Sequence, residues 1–152
     1  MLLIRTIGAA FAVFAFCWYL SVPRKLMFYA AFTGGMNWFI YLAVQRIHLS
    51  EMLAIFISAL AVGILGHLAA PVLKSPAFVL FLPGILPVIP GMAVYYTVMA
   101  VIQNDQKEVV ANLMYLLQAV GAISTGVFFP DCVFRIFDHI KLRGNANEKI
   151  IQ

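Results

Sequence analysis

Apolar positions are gathered into five long runs, residues 3–22, 26–44, 52–70, 78–102 and 109–129, and the stretches between them hold most of the charges. Each run is close to the roughly 20 residues that cross the hydrocarbon core of a bilayer as a helix. The pattern predicts an all-α polytopic membrane helix bundle of about five spans. The fourth run cannot be one regular helix. Its residues 83–91 read Pro-Gly-Ile-Leu-Pro-Val-Ile-Pro-Gly, three prolines and two glycines in nine positions. A proline inside a helix removes a backbone donor and clashes with the carbonyl four residues back, at a cost of about 3 kcal/mol or more. Freed backbone groups persist at membrane depth only where other protein or a water-filled cavity satisfies them. A broken fourth span is therefore expected, with a short half-helix over residues 78–82 ending before Pro83 and a longer one over residues 91–102.

Polar and small residues within the runs fall into stripes. Gly34, Asn37, Tyr41 and Gln45 follow one another at helical spacing, with Asn37 the deepest polar member. Ala59, Gly63, Gly66 and Ala70 share a face of the third run, with His67 at its edge. In the fifth run Asn112, Tyr115, Gln118, Ala119, Ala122, Thr125 and Gly126 lie opposite Leu113, Leu116, Leu117 and Val120. Small residues let helices approach closely and bulky aliphatic ones suit acyl chains, so these stripes should meet protein or a pathway. Helix packing alone would account for them. Contact with a solute is the sharper reading, with Asn37 and Asn112 as its polar members.

Beyond Pro130, Val133, Phe137 and Ile140 face away from Arg135, Asp138 and His139, which predicts an interfacial helix over residues 131–143. Residues 1–143 are expected to form a single transmembrane domain, with 144–152 a polar tail. Arg5 ahead of an apolar run resembles a signal peptide, but no small-x-small cleavage site follows, so the first run is taken as a retained helix. If it lay in the interface instead, four spans would remain.

Composition narrows the function class. Hydrophobic residues make up 64% and charged residues 11%, with a mean hydropathy of +0.98, which leaves too little charge for a soluble surface. With five spans, the loops on one side hold Arg24, Lys25, Lys74, Arg135, Lys141, Arg143 and Lys149, and the other side holds Arg5, Arg46 and Lys107. The positive-inside rule then puts the N-terminus outside and the C-terminus in the cytoplasm. Basic residues beside spans serve orientation and headgroup contact, and nothing in their placement points to nucleic acid. Cys17 and Cys132 form no CxxC or Cys/His cluster, and no Ser/His/Asp set or phosphate-cradling loop is present, so neither an enzyme nor a cofactor or metal site is expected.

The broken span carries the candidate chemistry. Pro90 suits the start of the second half-helix, and the backbone donors after Gly91 would point into the break with the positive end of the helix dipole. A carboxylate could bind there. Pro83, Gly84, Pro87, Pro90, Gly91 and Tyr95, facing Asn37 and Asn112, are the expected substrate-binding residues. A kink that merely shapes the bundle is the plainer alternative. His67 and Asp131 are the candidate proton relay, although His67 close to the loop at Pro71 also reads as an interfacial residue and Asp131 as a local partner of Arg135. No acidic residue lies mid-span, so a partner chain would have to supply one.

The motif PGILPVIPG followed by a Tyr-containing helix resembles the membrane half of the threonine/serine exporter family, and the likeness extends over about residues 3–140. The length, the five spans and the absence of a hydrophilic domain look like the small subunit of that family's split form. The resemblance implies a larger membrane partner with a related membrane half and an inner-membrane location in bacteria. It also implies coupling to the proton gradient and export of threonine and serine or, for the two-subunit form, of succinate. The leading expectation is thus one subunit of a secondary exporter for small carboxylates. A non-transporting scaffold subunit is the competing one.

Overall fold

The computed structural model describes residues 2–151, with side chains described as far as Ile136. Six helices form: α1 (Leu2–Tyr19), α2 (Arg24–Arg46), α3 (Glu51–Leu73), α4 (Ala77–Ile85), α5 (Gly91–Ile102) and α6 (Gln106–Ile151). Local signals set their ends. Pro23, Pro76 and Pro90 stand immediately before α2, α4 and α5, where a fixed φ and a missing donor do no harm. Ser50 Oγ accepts from Leu53 N at 3.4 Å ahead of α3, and Asp105 Oδ1 accepts from Lys107 N and Glu108 N at 3.1 and 3.2 Å ahead of α6.

Four helix ends close through the left-handed region without glycine, at His48 (φ 59°) after α2 and at three that share one pattern. Ser21, Lys74 and Asn104 have φ of 55°, 48° and 56°, and the next amide in each case reaches back five residues, Val22 to Cys17, Ser75 to Ala70 and Asp105 to Ala100. Left-handed backbone costs an L-residue roughly 1–2 kcal/mol. Glycine sits at helix crossings instead. A methyl on Gly126 would lie 2.8 Å from Phe56 O and 2.9 Å from Ala59 Cβ, and one on Gly34 would lie 2.5 Å from Val13 Cγ2. The small faces of the third and fifth runs therefore meet each other.

α3 lies at the centre, packed against α2, α4 and α6. Ala59, Val62, Ile85 and Val127 form one buried cluster across α3, α4 and α6, while Ile55, Val88 and Ala119 form another. α1 packs mainly on α2, through Val13 and Cys17 against Met27 and Ala30, and α5 packs on α6. Four helices are long and apolar enough to cross a membrane, and α4 with its following turn forms with α5 a pair, bent by 55°, that is long and apolar enough for a fifth span. The architecture is the all-α bundle with a broken fourth helix that the pattern predicts.

Two details differ from the expectation. α4 does not stop before Pro83 but continues to Ile85, because Pro83 and Gly84 are buried against neighbouring helices that hold the turn in place. α6 continues through Pro130 without a new start at Asp131, and the Pro130 ring is seated against Gly63 of α3. The faces expected for residues 137–143, and the side chains of the polar tail 144–152, lie outside the described residues.

Candidate functional site

The chain between α4 and α5 can be followed through its backbone hydrogen bonds. Pro87 cannot donate to Pro83 O, and Leu86 N bonds it instead. A 3₁₀ turn covers Leu86–Val88, closed by Ile89 N to Leu86 O at 3.2 Å, so the missing Pro90 donor leaves no vacancy at Leu86. Ile89 is extended, and Gly91 N bonds Ile89 O at 2.8 Å before α5 begins. The Gly91 donor is thus taken within the turn itself.

The two sides of the break sit in different surroundings. Pro83 and Gly84 are buried, Pro87 and Pro90 half-buried, and Gly91 and Tyr95 exposed. A methyl on Gly84 would lie 2.7 Å from Thr33 Oγ1 and 3.1 Å from Val62 Cγ1, whereas one on Gly91 would meet nothing within 4 Å. Of the two asparagines expected to face the break, Asn37 is hydrogen-bonded to it. Asn112, half-buried on α6, makes no hydrogen bond among the described residues.

Asn37 is fully buried and ties α2 to the broken helix by donating from Nδ2 to Gly84 O at 2.8 Å. Its Oδ1 has no hydrogen-bond partner among the described residues. An orphaned buried acceptor costs about 1–3 kcal/mol, so the atom stands ready for a donor. The other buried polar residues, Thr33 and Ser58, donate to carbonyls of their own helices, Ala30 O at 2.9 Å and Ile55 O at 3.0 Å. The polar vacancy at the break is therefore an acceptor.

The two members of the candidate relay, 64 residues apart, are in direct contact. His67 Nε2 lies 3.0 Å from Asp131 Oδ1 and His67 Nδ1 lies 2.8 Å from Gly63 O, while Arg135 Nε donates to Asp131 Oδ2 at 2.9 Å. A carbonyl only accepts, so Nδ1 carries hydrogen, and Nε2 then faces a carboxylate oxygen. For both contacts to be hydrogen bonds, the pair holds one proton more than a neutral imidazole and a free carboxylate together. The ring stacks between Phe81 of α4 and Phe134 of α6, at centroid distances of 6.2 and 5.1 Å. Asp131 also lines a cleft of about 510 Å³ between α4 and α6.

A second polar cluster was not legible as a unit in the sequence. Glu51 Oε1 accepts from Tyr41 at 3.1 Å and from Tyr115 at 2.8 Å, and Gln45 Nε2 donates to the Tyr41 hydroxyl at 2.8 Å. Helical spacing marks Tyr41, Gln45 and Tyr115 on their own faces. The first turn of α3 supplies the shared acceptor, and the signal for it is the Ser50-Glu51 start.

The family model described as "Threonine/Serine exporter, ThrE" matches residues 5–133. A threonine/serine exporter of Corynebacterium glutamicum is 30% identical over 129 residues, which cover 84% of this chain and 25% of that protein. A probable threonine/serine exporter of Mycobacterium tuberculosis is 28% identical over 108 residues, which cover 69% of this chain and 20% of that one. The chain therefore spans a quarter or less of the length of these curated relatives. No solved structure matches it.

Proposed function

The chain belongs to the threonine/serine exporter family, and from that premise we propose that it is one membrane subunit of a secondary exporter moving a small carboxylate-bearing solute across the bacterial inner membrane. The observation that carries the reading is Asn37, buried beside the helix break with an acceptor oxygen that nothing among the described residues satisfies. That oxygen matches an ammonium or hydroxyl group. Threonine and serine bring both besides their carboxylate, while succinate as a dianion brings no donor. The geometry thus favours the amino acid over the dicarboxylate.

In this reading Asn37, Pro83, Gly84 and Pro87 form the enclosed side of the site. Pro90, Gly91 and Tyr95 face outward from α5, and with Asn112 of α6 they reach a pathway only together with a second, larger membrane subunit of the same family. His67 and Asp131 form the proton-carrying pair. The excess of basic residues at the end holding Arg24, Lys25, Lys74 and Arg135 over the end holding Arg5, Arg46 and Lys107 supports an N-terminus outside.

The test is export of labelled threonine, serine and succinate from native cells in which the chromosomal copy carries Asn37→Ala. Threonine and serine export should fall about tenfold at normal membrane abundance, the equivalent of one lost hydrogen bond to a charged group. Unchanged export of all three solutes would leave the scaffold reading standing.

A further inference from the structure

A cleft lies between α1 and Trp38 of α2, and it touches the proposed solute site only at Pro87. This groove, of about 480 Å³, is walled by Gly8, Ala12, Val13 and Phe16 of α1 and floored by Trp38 and Pro87. It is open along its length, and a methyl on Gly8 would meet nothing within 4 Å. Its lining is carbon apart from one cation, Arg5. Arg5 also lines a second groove of about 420 Å³, which adds Gln45 and Arg46 at the end of α2. An apolar slot at membrane depth thus runs into a mouth with two guanidinium groups. Among the described residues neither arginine is in an ion pair, and no carboxylate lines either groove. Glu51, at the same end, is occupied by two tyrosine hydroxyls.

We infer that this continuous cleft binds one anionic phospholipid, with its phosphate between Arg5 and Arg46 and an acyl chain lying along Gly8 and Ala12 toward Pro87. The chemistry selects the occupant. Guanidinium forks match phosphate oxygens, and the pairing strengthens where the surroundings are partly apolar. Arg5 in the first turns of α1 and Arg46 at the last residue of α2 both stand at the level of a headgroup. A small hydrophilic solute would set its polar atoms against hydrocarbon walls. A helix about 10 Å across would use up 480 Å³ in little more than one turn, so the slot suits a chain rather than a helix. The lipid would brace α1, which packs mainly on α2, against the turn between α4 and α5. This inference does not depend on the transported solute.

The experiment is native mass spectrometry of the protein extracted in its natural assembly, exchanged into nanodiscs of phosphatidylglycerol and phosphatidylcholine in equal amounts. The wild type should retain one phosphatidylglycerol with about tenfold preference, as expected of charge-assisted contacts. Arg5→Gln with Arg46→Gln should abolish the preference, Arg5→Lys with Arg46→Lys should keep part of it, and Gly8→Phe should lower retention of both lipids. Melting curves of each variant show that the fold is intact, and Gly8→Phe, which adds bulk to open space, does so independently of charge. Equal retention by wild type and the double glutamine variant would overturn the proposal. So would loss of all lipid from the assembly alongside retention by the isolated chain, because a partner helix would then fill the groove.

Discussion

In α4, Leu80, Pro83, Gly84 and Ile85 are buried among nine residues, whereas α5 buries only Ala100 among twelve. The two are halves of one broken span and are similarly apolar. What separates them is shape. Gly84 lets the backbone of α4 press against Thr33 and Val62, and Asn37 then reaches the freed carbonyl. α5 turns 55° away and carries Met92, Val94, Tyr95 and Val98 on exposed positions. In a bilayer, apolar content carries no preference between lipid and protein, so close fit and hydrogen bonding decide which half joins the core. A break in a span is thereby enclosed on one side only.

That contrast can be broken most directly at Gly84. Gly84→Leu forces four carbons into a space already filled by Thr33 and Val62, and a loss of about 3 kcal/mol, read as a collapse of the melting temperature in detergent, is expected. Asn37→Ala comes next, because it leaves Gly84 O buried without its donor; about 2 kcal/mol should be lost. His67→Phe keeps the stack between Phe81 and Phe134 but removes both imidazole hydrogen bonds, which should lower stability by about 1 kcal/mol. On the other side of the break, Gly91→Leu points into open space, and a change within about 0.5 kcal/mol is expected in the purified chain. Tyr95→Phe should have the smallest effect, since its hydroxyl bonds nothing among the described residues. If Gly91→Leu proved as damaging as Gly84→Leu, the one-sided enclosure of the break would be refuted.

Much of this was legible before any coordinates. The runs of apolar residues mark the spans because hydrocarbon tolerates little else, and the proline positions mark the break because no helix can satisfy those backbone groups. Small-residue periodicity identified the α3 and α6 faces that cross at Ala59 and Gly126. The position of the break was legible only to within a few residues. Pro83 looks like a terminator in the sequence, yet the helix passes through it because α2 and α3 pack around that turn. His67 and Asp131 were named as relay candidates, but their direct contact was hidden, since residues on different helices share no period and Arg135 offered Asp131 a nearer partner. Glu51 was hidden for the same reason.

By itself, then, the sequence determined the setting, the number of apolar runs and the break in the fourth, all of which follow from transfer of side chains into lipid and from the backbone chemistry of proline. Tertiary structure decided which polar atoms meet. It set Asn37 against Gly84, left its oxygen without a donor, and brought an imidazole from α3 to a carboxylate on α6. Those outcomes depend on how helices cross, and crossing is settled by close packing summed over many contacts that no single stretch of sequence contains.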